Sequence, residues 1–347
     1  MTVEINTVGV VGLGIMGAGI AEVFARAGLN VLGLEVDDAA LERGRQHVAK
    51  SLGRQVAKGR IDEATREDIL ARFTFTTDFA ALGDADVVVE AVPERMELKT
   101  PLFARLDEAC KPDAVLATNT SSLPITEIAE GTKRPAAVLG MHFFNPAPVM
   151  KLVEVIRTVH TDAAVVAAVQ QLATRLGKTP VTVDDRPGFV ANRLLLGYLN
   201  QAAKLVGAGE ATSQEIDAAI RTTGLPMGPL MLMDVVGLDT CVEVLDCIFK
   251  RGGESPRHEA APILRRLVAD GKLGRKSGAG FYDHSAEIPT VELDEARRAA
   301  LVAELIPPHV GEAQEMADSG YASQADIDTA MKLGCGYPDG IFGLLRR

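Results

Sequence analysis

The chain is sparing with cysteine: Cys110, Cys241, Cys247 and Cys335 are the four it has in 347 residues, and no two form a CxxC pair. Such spacing offers neither a zinc-like ligand set nor a disulfide framework, so the four read as small buried hydrophobes and no metal is expected. Long apolar runs are also missing. None approaches the ~20 residues of a membrane helix, and "VEINTVGVVG" passes almost directly into a strand-like run, without the basic and apolar segments of a signal peptide. A cytoplasmic protein with no membrane partner is the expectation. Basic residues are outnumbered, 36 Lys and Arg against 47 Asp and Glu, for a net charge of −11. With no basic stripe, nucleic acid is excluded as the main partner, while an anionic small molecule stays compatible. The length exceeds what one hydrophobic core usually serves, which favours two domains or a domain with an extension.

What is present alternates. The run Val8–Val11 ends in "GLGIMG", a helix-compatible stretch covers 15–27, and Gly28 stands where a helix stops. "NVLGLE" reads as the next strand and the long, charged, Ala-rich segment 39–71 as helical. "ADVVVEAV" (85–92), "AVLATNTSS" (114–122), "AAVLGMHFF" (136–144) and "MKLVEVI" (150–156) are further strand candidates. Alternation of this kind predicts a mostly parallel sheet covered by helices, an α/β Rossmann-type domain over residues 1–186. Beyond "DDRPGFVANRLL" (184–195) only helix patterns remain, so the boundary is placed near Pro187 and an all-α domain is expected over 187–285. A repeat closes the chain: "GEATSQEIDAAIRTTGLPMG" (209–228) matches "GYASQADIDTAMKLGCGYPDG" (320–340), ungapped from Gly209/Gly320 to Asp217/Asp328, with one extra residue before Pro226 meets Pro338. Residues 286–347 therefore read as a shortened second helical repeat.

Gly12, Gly14 and Gly17 form G-x-G-x-x-G after a strand and at the opening of a helix, with Leu13, Ile15 and Met16 between and beside them. The glycines serve a tight turn, close approach of backbone to a pyrophosphate and close helix–strand contact, and the helix start offers free N–H groups to phosphates. Glu35 ends the second strand, 18 residues past Gly17. A carboxylate there accepts from ribose hydroxyls and repels a 2′-phosphate, which favours NAD over NADP.

"ATNTSS" puts Asn119, Ser121 and Ser122 at the carboxyl edge of a strand, and "MHFFNP", following the next strand, brings His142 and Asn145 to the same edge. Glu154 lies inside the apolar "MKLVEV"; a buried glutamate is costly without a partner, and an imidazole is the natural one. Taken singly, His142 could be a satisfied core histidine and Ser121 a turn residue. Beside a dinucleotide loop they suggest a hydride-transfer site, whose chemistry needs a base for the alcohol proton.

Together "GLGIMGAGIA", "ATNTSSLPI", "GMHFFNPAPVMKLVEV" and "PGFVANRLL" resemble the L-3-hydroxyacyl-CoA dehydrogenases, including the 3-hydroxybutyryl-CoA dehydrogenases, over residues 5 to 285. The resemblance implies an NAD-dependent enzyme acting on acyl-CoA. It gives His142 the part of catalytic base, Glu154 that of its partner, and Ser121 and Asn192 hydrogen bonds to the substrate oxygen or the histidine. Glu94, Lys99, Asn145 and Lys276 match further cofactor contacts, as surface polar residues, with Glu35 where most members carry aspartate. Ser51 and Lys58 match contacts to the coenzyme A part. The chain departs from the pattern in "TTGLPMGP" (222–229), one residue short. Single-repeat members pair through their helical domains, and in tandem members a second repeat takes the partner's place. A homodimer and a pseudo-symmetric monomer both follow.

Three rivals stand beside this reading. A relative acting on another hydroxy substrate is disfavoured by the intact "HFFNP". The same chemistry on a carrier-protein-bound 3-hydroxyacyl group stays open. A non-catalytic NAD-binding protein would have lost His142, Glu154 or Ser121, and all three are present.

Overall fold

The computed structural model describes residues 5–346. The chain divides into two compact units, the first reaching to Asp185 and the second starting at Arg186.

In the first unit β1 (Thr7–Val11), α1 (Ile15–Arg26), β2 (Asn30–Leu34), α2 (Asp38–Ala57), α3 (Glu63–Leu70), β3 (Phe73–Thr76), β4 (Val87–Glu90), α4 (Met96–Ala109), β5 (Val115–Thr118), α5 (Ile125–Glu130), β6 (Val138–Phe143), β7 (Leu152–Arg157), α6 (Ala163–Arg175) and β8 (Thr179–Asp184) follow one another. The strands form one sheet in the order β3-β2-β1-β4-β5-β6-β7-β8. Every neighbouring pair is parallel except β6 and β7. That exception follows from chain length: the β6–β7 connection has no helix, and a parallel return needs a crossover of about a dozen residues or more. Strands β4, β5 and β6 are buried along their whole length, which is why they read as mostly apolar runs without alternation. Each fully buried Val or Leu of this core contributes about 1.5–3 kcal/mol relative to exposure. Strand order reverses between β1 and β4, so their carboxyl ends open the crevice where ligands of such sheets bind.

In three places the structure corrects or completes the sequence reading. The segment 39–71 is two helices: α2 stops at Ala57, the chain turns at Gly59 with φ of +65°, and Asp62 restarts it by accepting the Thr65 N–H at 2.8 Å. His142 does not follow its strand but lies inside β6, one residue from its end. Strands β3 and β8, which no apolar run announced, are the two edges of the sheet.

The second unit is helical: α7 (Ala191–Gly207), α8 (Ser213–Arg221), α9 (Pro229–Val236), α10 (Leu238–Arg251), α11 (Pro262–Ala269), α12 (Glu295–Asp318) and α13 (Gln324–Cys335). None of the helices among the described residues is long and apolar enough to cross a membrane. The repeat is structural as well as sequential. Thr212 and Ser323 cap α8 and α13. Asp217 on α8 accepts the N–H groups of Leu230 and Met231, both at 2.9 Å, and Asp328 on α13 accepts that of Phe342 at 3.2 Å. The two copies also pack reciprocally, α12 against α7 and α8, and α13 against α7. At their centre His309 of α12, 2% exposed, stacks on Tyr198 of α7 at 4.7 Å and meets the Tyr337 hydroxyl through Nε2 at 2.9 Å. Burial drives its imidazole down to about 4.

Candidate active site

The glycine loop is built by close contact. A Cβ on Gly17 would lie 1.7 Å from the Gly12 carbonyl oxygen, so only glycine lets α1 start this near β1. Leu13, 1% exposed, is pinned from above by α2, where His47 Nδ1 lies 3.3 Å from its carbonyl oxygen. Gly14 is the N-cap of α1 and offers no side-chain cap, and a Cβ there would meet nothing within 4 Å. Ile15 and Gly14 are exposed, Met16 half-buried. The first turn of α1 thus presents uncapped N–H groups to open space, which fits the pyrophosphate of a dinucleotide. Glu35, just past β2, accepts the Leu13 N–H at 2.5 Å and that of Val36 at 3.2 Å, so its carboxylate is fixed at the edge of the loop.

On the other side of the switch point, the antiparallel register pairs His142 directly with Glu154. Opposed residues point to the same face, and the ring and carboxylate meet, His142 Nδ1 to Glu154 Oε2, at 2.7 Å. Glu154 has no exposure and His142 6%. With Nδ1 engaged by a carboxylate, the orientation of the imidazole is fixed and its second nitrogen is Nε2. The ring is also flanked by Phe144, centroids 4.6 Å apart. Asn119 binds the neighbouring backbone, its Oδ1 accepting the Phe143 N–H at 2.9 Å, and so ties the turn after β5 to β6.

That turn is organised by Glu94. One of its carboxylate oxygens accepts the Ser121 and Ser122 N–H groups at 2.9 and 3.1 Å, the Ser122 hydroxyl at 3.1 Å and the Thr120 hydroxyl. Burial works to raise its pKa, but the Lys99 ammonium and these donors more than offset it, leaving the carboxyl below its usual range. Lys99 corrects an expectation. It is 1% exposed, not a surface residue, with its ammonium 2.6 Å from Glu90 and 3.5 Å from Glu94. Asn145 is exposed on the loop after β6. Ser51 and Lys58 lie two turns apart along α2 and its end, Ser51 beside the buried carboxyl of Glu22 and Lys58 in solvent.

Two expected site residues belong to the second unit. Asn192, half-buried, is in the first turn of α7. Lys276 sits in the short helical turn Arg275–Ser277 and pairs with Asp239 at 2.6 Å.

The family model described as 3-hydroxyacyl-CoA dehydrogenase, NAD binding domain, matches residues 7–186, and that of the C-terminal domain matches 188–284 and 301–347. The chain belongs to the 3-hydroxyacyl-CoA dehydrogenase family. It is 49% identical over 288 residues to a 3-hydroxybutyryl-CoA dehydrogenase of Mycobacterium tuberculosis, covering 82% of this chain and all of that protein. A 3-hydroxyadipyl-CoA dehydrogenase of Escherichia coli is 43% identical over 288 residues, covering 83% of this chain and 61% of the relative. Among solved structures, the 3-hydroxybutyryl-CoA dehydrogenase of Escherichia coli K12 superposes with a TM-score of 0.92 at 33% identity, over 99% of this chain and 92% of that one. As a 3-hydroxyacyl-CoA dehydrogenase the chain is an NAD-dependent oxidoreductase, with a Rossmann-type unit and a helical unit, the latter matched by its family model in two stretches.

Within this 3-hydroxyacyl-CoA dehydrogenase, sequence reasoning passed over Glu90. It ends β4 with no exposure; Oε1 takes the Lys99 ammonium and the Val92 N–H, both at 2.6 Å, and Oε2 the Thr118 hydroxyl at 2.7 Å. The available signal was the one that singled out Glu154: a lone carboxylate within an apolar run, here "ADVVVEAV".

Proposed function

We propose that this protein reversibly oxidises (S)-3-hydroxyacyl-CoA to 3-oxoacyl-CoA, and the observation that carries this is the buried His142–Glu154 pair at 2.7 Å on the carboxyl edge of a dinucleotide-binding sheet. NAD, when bound, supplies the hydride acceptor. The residues of the chain handle the proton and the geometry. Nε2 of His142 takes the proton of the substrate hydroxyl in oxidation and returns it in reduction. Glu154 keeps the ring in the required tautomer and stabilises the imidazolium that forms. Ser121 and Asn192 donate to the substrate oxygen and polarise it in the carbonyl form. The loop 12–17 and Glu35 hold the dinucleotide, with Glu94, Lys99, Asn145 and Lys276 as further cofactor contacts, and Ser51 and Lys58 receive the coenzyme A part. In this reading the first unit is the NAD domain and the helical unit contributes to substrate binding. Residues 286–347 take the place a second subunit would fill, making the protein a pseudo-symmetric monomer; the reciprocal packing of α12 on α8 and α13 on α7 supports this. A cytoplasmic site of action agrees with four cysteines of unpaired spacing.

The test follows nicotinamide absorbance with acetoacetyl-CoA. The wild type consumes NADH, and Glu154→Gln loses about 10²- to 10⁴-fold in kcat with the Kd for NADH unchanged, since only proton transfer is removed. Well-bound NADH without turnover in the wild type, or full activity in Glu154→Gln, rejects the reading.

A further inference from the structure

The chain enters α7 through a backbone that few residues tolerate. Gly188 has φ of +78° and Phe189 φ of +47°. For a bulky residue the left-handed region is an outlier, and it persists only where surroundings over-determine it. Phe189 is 1% exposed, and its N–H closes the turn onto the Arg186 carbonyl at 3.0 Å. The Gly188 carbonyl then accepts the Arg193 N–H at 2.9 Å, which sets the first turn of α7 and Asn192 within it.

The second repeat supplies two supports for this turn. Tyr321, after α12 and 4% exposed, donates its hydroxyl to the Phe189 carbonyl at 2.6 Å, and the Arg186 guanidinium lies over its ring at 4.9 Å. Glu312 of α12, 3% exposed, stands 3.4 Å from the Arg193 guanidinium, next to Asn192 in sequence. A hydrogen bond onto the carbonyl of a residue in an unfavourable conformation fixes the orientation of that peptide plane. Nothing in the first 285 residues provides Tyr321 or Glu312.

We infer that the shortened second repeat is a working part of the active site: Tyr321 is a positioning residue that holds the Phe189 turn and thereby the place of Asn192. This rests on the reading that Asn192 touches the substrate oxygen. Tyr321 makes no such contact itself in this scheme; it acts through the backbone between.

A double-mutant cycle tests the coupling in the full chain, with Tyr321→Phe, Asn192→Ala and the double variant. Two quantities are read for each: kcat for acetoacetyl-CoA reduction, and the calorimetric Kd of acetoacetyl-CoA for enzyme loaded with NAD, which is measurable even where turnover is lost. Thermal midpoints and the Kd for NADH are recorded alongside. Tyr321→Phe is expected to weaken both quantities about fivefold, the size of one lost hydrogen bond, with NADH affinity unchanged. In the Asn192→Ala background the same change should have almost no further effect, because the residue it positions is gone. Equal effects in the two backgrounds, or a lower thermal midpoint with kcat and Kd intact, overturn the inference and leave Tyr321 a brace of the fold. An Asn192→Ala enzyme equal to the wild type in both readouts removes the role given to Asn192, and the inference falls with it while the His142–Glu154 reading stands.

Discussion

His309 should make the helical unit sensitive to mild acid. Its ring lies between Tyr198 and Tyr337 at 2% exposure, and Nδ1 is buried with no hydrogen-bond partner among the described residues. A second proton would find no acceptor there and would place a charge in a dry core. Burial is the main cause of the depression to about 4; Glu312 pulls back and Arg257 adds to it. The folded value lies below the ordinary 6.5, so the stability is fully present above pH 6.5 and drains as pH falls towards 4. By linkage the loss is about 2 kcal/mol between pH 7.5 and pH 5 and about 3 kcal/mol by pH 4. Against a typical domain stability of about 5–15 kcal/mol, that is a readable fraction. The assay is urea unfolding followed by circular dichroism at pH 7.5, 6 and 5, for wild type and His309→Gln. The variant should be weaker at pH 7.5, having lost the stacking and leaving the Tyr337 hydroxyl short of its partner. Its decline from pH 7.5 to 5 should be shallower than that of the wild type by about 2 kcal/mol, since the carboxylates titrate alike in both proteins. Parallel stability curves would refute the argument.

Other outcomes follow from the same geometry. Gly17→Ala places a methyl 1.7 Å from the Gly12 carbonyl oxygen, which must move; at about 1–3 kcal/mol of strain, NADH affinity should fall roughly five- to 150-fold by fluorescence titration, and an unchanged Kd would disprove the packing. Glu35→Ala combined with Asp37→Ala should raise the ratio of kcat/KM for NADPH over NADH about tenfold or more, as about 1.4 kcal/mol of repulsion is removed; a constant ratio counts against Glu35 as the ribose carboxylate. Light scattering on a sizing column should give the mass of a single chain over a wide concentration range, whereas a mass of two chains would mean that the second repeat does not stand in for a partner.

How legible this fold was depended on how each strand is covered. Strands β4 to β6 are buried along their length, and they appear in sequence as Val- and Leu-rich runs that need no periodicity to be found. The sheet edges β3, "FTFT", and β8, "TPVTVD", are partly exposed and alternate over only four to six residues, which is too short to separate from a loop. The break between α2 and α3 was hidden by composition, because Ala, Glu and Arg continue across it and only Gly59 and the Asp62 cap mark the stop. For the site, the loop and the His142–Glu154 pair could be read because a glycine spacing and a misplaced charge are each one-dimensional signals. The support that Tyr321 gives to Phe189 spans 132 residues and leaves no such trace.

Two glutamates buried in strands, Glu90 at the end of β4 and Glu154 inside β7, show how far a misplaced charge can be taken. Glu90 and Glu154 share the same peculiarity: each has no exposure and stands in a run of apolar residues. Burying a carboxylate is costly unless it is paired, so either one demands a partner, and a sequence can announce that demand. The partner then separates their uses. Glu90 meets a lysine ammonium, a threonine hydroxyl and a backbone N–H, kinds of group that do not ordinarily change their proton count near neutral pH. Its effect is architectural: it anchors Lys99, which lies 3.5 Å from Glu94, and Glu94 in turn holds the Ser121 turn. Glu154 meets an imidazole, the one side chain whose ordinary pKa lets it gain and lose a proton in that range. The same kind of buried carboxylate therefore fixes a framework in one place and, in the function proposed above, would prepare a base in the other; what distinguishes them is the chemistry of the partner.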